Sequence, residues 1–209
     1  MPHASPFTQE IFDEWKRIVD QQFSATPEQT VTDAELLFAK WFKDGQWLAG
    51  LEGAHLIASK RWSSLAVAGR LEEAVAVFDD WFKHPEWEQA DPVDHSSDFS
   101  YLMSLQIVLG REDEAMESFR QGLIRGSREL YGVEVQNMLM AAAHAAPDAT
   151  PLPVWRELMT WACQKTPMLR IPPEVIGLST YAEVVEAHRR FTKSQSQTHS
   201  RSNPNYMFG

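Results

Sequence analysis

A six-residue phrase occurs twice in this chain: Gly69-Arg70-Leu71-Glu72-Glu73-Ala74 followed by Phe78, and Gly110-Arg111-Glu112-Asp113-Glu114-Ala115 followed by Phe119. The two copies are offset by 41 residues at every matched position. Each follows an apolar run, Leu65, Val67 and Ala68 in one case and Leu105, Ile107 and Val108 in the other, and each opens a second run. Recurrence of helix, glycine turn and helix at a fixed offset predicts stacked helical hairpins. The glycine belongs at the residue after a helix C-cap, where a left-handed backbone is needed. The acids after it fall in the first turn of the next helix, facing the positive end of its dipole. Ala74 and Ala115 let the two helices of a hairpin approach, and Phe78 and Phe119 fill the space beside them on the same face.

A small residue and an aromatic at these positions resemble the packing pair of tetratricopeptide-type repeats, although the offset of 41 exceeds the roughly 34 of that family. The resemblance covers residues 60–125. It implies an all-α fold of stacked antiparallel helical hairpins, a tetratricopeptide-like α-solenoid of about 8 to 9 helices. Length and composition predict a single domain over 1–192, and the polar composition from Lys193 onward predicts a flexible tail over 193–209.

The expected helices follow from spacing. Ile11, Trp15, Ile18 and Val19 make a stripe over Thr8 to Phe23. Thr26-Pro27 or Thr32-Asp33 starts a helix that carries Leu36 to Phe42 and stops near Asp44-Gly45. Gln46 to Ala68 reads as one long helix or two shorter ones, and Leu71 to Lys83 as its hairpin partner. His84 to Ser97, with Pro85 and Pro92, has no helical period and reads as a long loop. Ser97 or Asp98 then caps a helix through Leu109, followed by Glu112 to Ile124. Glu129 to Ala145 and Pro151 to Lys165 form a third hairpin without the glycine phrase, and Thr180 to Thr192 closes the fold. Of the polar tail, only Tyr206 to Gly209 is apolar enough to dock.

The apolar fraction of 44% supports a real core, and the eight tryptophans are read as wedges between hairpins. The single cysteine, Cys163, excludes an internal disulfide and a cysteine metal site. No apolar run reaches the length of a membrane span, and Met1 to Pro6 lacks signal-peptide character, so a soluble cytoplasmic protein is expected.

Charge placement narrows the function. Residues 1–100 hold 18 acids against 8 bases, whereas the remainder holds 11 of each. Glu72 to Asp98 alone carries nine acids and one base, Lys83. Such a stretch repels nucleic-acid phosphates and attracts a basic protein. Asp79, Asp80, Glu86, Glu88, Asp91, Asp94 and Asp98, interleaved with Trp81 and Trp87, are therefore the candidate partner-binding residues, with the tryptophans as anchors in a charged rim.

Catalytic signatures are missing. Glu52 and His55 have one half of a di-iron spacing and no second copy. Asp91, Asp94, His95 and Asp98 match no EF-hand loop. Cys163 has no base at helical spacing to stabilise a thiolate. Neither a nucleophile elbow, a P-loop, a dinucleotide fingerprint nor a zincin motif occurs. The expectation is a non-enzymatic protein-binding module without metal or cofactor. Gly45-Gln46-Trp47-Leu48-Ala49 and Leu109 to Ala115 are similar in style to helical immunity proteins of bacterial toxin systems. That resemblance implies an acidic protein that neutralises a basic toxin by occluding its active site. The alternatives are a helical-repeat adaptor or chaperone holding a peptide in its groove, a metal-dependent helical-bundle enzyme centred on Glu52 and His55, and a self-assembling structural subunit.

Overall fold

The computed structural model describes residues 6–21, 24–166 and 173–201. It is all-α, with nine helices longer than a single turn among the described residues. The chain forms two compact units, Met1–Asp98 and Phe99–Gly209.

Unit one opens with α1 (Pro6–Gln21) and α2 (Pro27–Trp41). Thr26 caps α2 by accepting from the Gln29 N–H at 3.3 Å, and Pro27 occupies the first helical position. The expected long helix from Gln46 does not form as such. Strands β1 (Phe42–Lys43) and β2 (Gln46–Trp47) pair antiparallel first, and α3 (Leu51–Val67) starts after Gly50. The cause is Asp44-Gly45, whose φ values of 52° and 75° give the left-handed pair that a two-residue hairpin turn requires. The register places Phe42 opposite Trp47, with ring centroids 5.1 Å apart. Ile11, Ile18, Leu37, Trp41, Ala49 and Ile57 form the core between α1, α2 and α3.

The next helix, α4 (Leu71–Trp81), packs on α3. Trp62 stacks on Phe78 at 4.1 Å, and Ala74 and Phe78 are fully buried. Burying a side chain such as Phe78 contributes roughly 1.5–3 kcal/mol. The expected loop from His84 to Ser97 is mostly helical instead: α5 (Pro85–Glu88) is one turn, and α6 (Pro92–Val108) begins well before Ser97. Asp91 caps α6, its Oδ1 accepting from the Val93 N–H at 2.8 Å, so Pro92 stands at the first helical position and starts the helix. The boundary between the two units falls within α6.

Unit two continues with α7 (Glu112–Arg125), α8 (Tyr131–Ala145) and α9 (Pro153–Lys165). Ser118 donates to Gln106 Oε1 at 2.8 Å, tying α7 to α6 in a buried contact. As the third expected hairpin requires, α8 packs on α9, with Trp155 Nε1 donating to the Leu139 carbonyl at 2.9 Å. A 3-10 turn at Pro173–Gly177 follows, held by Arg156, which donates to the carbonyls of Ile176 and Leu178 at 2.7 and 2.9 Å. The final helix, α10 (Tyr181–Arg201), packs on α8 and runs beyond the expected end at Thr192. Phe23 and Tyr206 to Gly209 lie outside the described residues.

The duplicated phrase folds the same way twice. Gly69 and Gly110 both have φ of 75°. Gly69 N–H donates to Ala66 O at 3.0 Å and Arg70 N–H to Leu65 O at 2.9 Å. The second copy gives Gly110 to Ile107 at 3.0 Å and Arg111 to Gln106 at 2.8 Å. This is the Schellman closure, which satisfies helix carbonyls that have no partner in the next turn.

Candidate functional site

On α4 the residues facing solvent recur with helical spacing: Glu72, Glu73, Ala76, Asp79 and Asp80, then Lys83 just past the helix end. The stripe is acidic because the core residues Ala74, Val75, Val77, Phe78 and Trp81 occupy the opposite side. Glu88 on α5 and Asp91 before α6 extend the exposed acids, and Asp94 is half-exposed.

Not all the expected partner-binding residues lie on that surface. Asp79, Asp80, Glu88 and Asp91 are exposed, and the side chain of Glu86 lies outside the described residues. Trp81, Trp87 and Asp98 are buried, at 2%, 4% and 1% exposure, so they are core groups and not exposed anchors. The reason was present in the spacing, since Trp81 lies three residues after Phe78 and seven after Ala74, on the face that meets α3. Trp87 packs against Phe82 at 4.5 Å and edge-on to His95 at 4.7 Å.

Trp81 and Asp98 take part in a buried polar cluster. Asp98 Oδ1 is 2.9 Å from His55 Nε2, and its Oδ2 accepts from Trp81 Nε1 at 3.2 Å. Asp94, one turn earlier on α6, places Oδ1 3.6 Å from His55 Nδ1. Burial disfavours the imidazolium, but the Asp98 hydrogen bond and the charges of Asp98 and Asp94 outweigh it and raise the His55 pKa. Both ring nitrogens thus face carboxylates, while Glu52 is exposed. Among the described residues no three His, Cys, Asp or Glu side chains form a group able to hold a metal ion. Cys163 accepts from Gln136 Nε2 at 3.3 Å, and burial pushes its thiol pKa up, the opposite of what a nucleophile needs.

A second feature escapes sequence reading. An open groove of about 860 Å³ runs between α2 and the α3–α4 hairpin. Val31 and Leu65 line its buried floor, Leu36 stands exposed at its rim, and Phe38 and Phe42 form an aromatic wall. The Arg61 guanidinium lies 3.8 Å over the Phe38 ring, and its Nε donates to Glu35 Oε1 at 3.0 Å. Arg70 binds Glu73 through Nε and Nη2, at 2.7 and 2.6 Å. Residues 26 positions apart build the Arg61–Glu35 pair, so no local pattern announces it.

Among the described residues, no helix is long and apolar enough to cross a membrane. Compared with protein-family models, curated proteins and solved structures, the chain matches none.

Proposed function

We propose that this chain is a non-enzymatic protein-binding module whose acidic surface on α4, α5 and the start of α6 engages a basic protein. Neutralisation of a basic toxin by covering its active site is the specific form of this reading. The observation that carries it is the run of exposed acids, Glu72, Asp79, Asp80, Glu88 and Asp91, with Lys83 as the only base between Glu72 and Asp98. Acids that face solvent set a one-signed field, which speeds encounter with a basic surface and penalises wrong partners. With Trp81 and Trp87 in the core, the aromatic anchors of such a complex come from the partner.

Asp91 and Asp94 hold α6 and His55, so a clean test leaves them intact. The triple variant Asp79→Lys, Asp80→Lys, Glu88→Lys is expected to fold and to lose its basic partner. Wild-type binding should weaken steeply between about 0.01 M and about 1 M salt, as the Debye length falls from about 30 to about 3 Å. A partner bound equally by the triple variant would refute the acidic surface. If the partner is a toxin, a stoichiometric complex must also abolish its activity.

A further inference from the structure

We propose that the groove between α2 and the α3–α4 hairpin is a separate binding site for an extended, uncharged, apolar peptide segment, read through its main chain by Arg61 and Glu35.

The argument starts with the donors and acceptors left over. Arg61 spends Nε on Glu35 Oε1 at 3.0 Å, and its side chain is only 18% exposed. The bond between the two side chains is Nε to Oε1 alone, which leaves Arg61 Nη1 and Nη2 and the Oε2 of Glu35, a side chain 42% exposed, to face a ligand or water. The ring of Phe38, 3.8 Å beneath the guanidinium, fixes its plane. A held donor pair beside a held acceptor matches one peptide unit, whose carbonyl accepts from Arg61 and whose N–H donates to Glu35. A helical ligand could not use them, because its main-chain groups are bonded to each other; an extended chain offers them freely.

Charge decides what the ligand is not. The lining holds two bases and two acids, Arg61 paired with Glu35 and Arg70 with Glu73, with Glu28 outside the lining as a second partner of Arg70 at 3.4 Å, so neither base is left as an unpaired cation in the groove. A ligand carboxylate on Arg61 would meet Glu35, and a ligand ammonium on Glu35 would meet Arg61, whereas a neutral amide satisfies both. The apolar contacts come from Leu36, 64% exposed, and from Phe42. From Val31 to Ala39 the groove follows roughly 12 Å of helix, at about 1.5 Å per residue, the span of about four residues of extended chain at about 3.3 Å each, and Phe42 lies just beyond the end of α2.

The test measures fluorescence anisotropy with acetylated, amidated seven-residue peptides of Leu, Phe, Val and Ala, against the same peptides with the central amides N-methylated. The unmethylated set is expected to bind with the same Kd at low and high salt. N-methylation and Arg61→Lys should each weaken it about tenfold, the scale of one hydrogen bond. Leu36→Asp, at an exposed position that leaves the core intact, should abolish it. The triple variant of the acidic surface should bind these peptides normally, so loss of one site is distinguishable from loss of the other. No binding, equal binding of the N-methylated peptides, or a strong salt dependence would overturn the proposal.

Discussion

Gly69 and Gly110 allow the equivalence of the two glycine turns to be tested energetically. Both have φ of 75°, and a Cβ added at either meets no atom within 4 Å. Sterics with neighbours therefore contribute nothing, and the cost of alanine reduces to placing an L side chain in the left-handed region. That cost is about 1–2 kcal/mol, and alanine recovers about 0.4–1 kcal/mol by restricting the unfolded chain. Gly69→Ala and Gly110→Ala should each destabilise by about 1 kcal/mol net, with Asn costing less because it tolerates this conformation. Gly177→Ala is the control: its Cβ also meets nothing and its φ lies outside the left-handed range, so it should be neutral or slightly stabilising. Urea unfolding followed by tryptophan fluorescence gives the differences. Equal losses are expected because the two Schellman closures have matching hydrogen bonds, 3.0 and 2.9 Å in one copy and 3.0 and 2.8 Å in the other. A difference above about 1 kcal/mol between the two alanine variants, beyond ordinary context effects, would refute the equivalence. So would a gain in stability from either.

Gly122→Ala should cost more than either, since its Cβ would overlap the Tyr131 ring carbon and hydroxyl. The loss, about 3 kcal/mol or more from overpacking, should be largely rescued by Tyr131→Leu, read by thermal denaturation. Asp98→Ala should cost about 3 kcal/mol by leaving His55 and Trp81 without their buried acceptor, with Asp98→Asn intermediate. Because folded His55 holds its proton more tightly than the unfolded chain, its contribution is complete below about pH 6.5 and fades as pH rises through the raised value. The urea midpoint should therefore fall on going from pH 6 upward, and His55→Gln should remove that slope. Cys163, its thiol pKa pushed up by burial, should react with iodoacetamide at neutral pH more slowly than a free thiol, measured by mass shift.

The parts of the fold that were legible in sequence are those set by local rules. Thr26-Pro27, the glycine phrases and the apolar stripe of α1 each specify a boundary or a face within one turn of chain. The structure departs from the local pattern where one signal outranks another. Asp44-Gly45 is a helix stop, but between aromatic and apolar residues it is also a hairpin turn. Pro92 looks like a breaker until Asp91 is read as its cap. The polar composition after Thr192 suggests a loose tail, yet α10 continues through Arg201 on residues with no strong objection to helix. The site was less legible. The acids on α4 follow from periodicity, but the buried Trp87 and the Arg61–Glu35 pair depend on which elements pack together, which no window of sequence contains.

The two copies of the duplicated phrase agree on one face and differ on the other. Matched buried positions agree: Ala74 and Ala115 are both fully buried, and Phe78 and Phe119 are 0% and 7% exposed. Matched solvent positions differ, with Asp79 and Asp80 in the first copy against Arg120 and Gln121 in the second. Packing therefore constrains the inner face and leaves the outer face free to vary, which is where the proposed partner surface lies. Moving the second copy's outer face onto the first, as Asp79→Arg with Asp80→Gln, raises the formal charge by three from −10. It touches no buried group and breaks only the exposed Asp80–Lys83 contact at 3.3 Å, so stability should change by less than about 0.5 kcal/mol. Binding of a basic partner should fall while peptide binding in the groove persists. A variant that unfolds would show that the outer face of α4 is part of the scaffold, and one that keeps its basic partner would place recognition elsewhere in the chain.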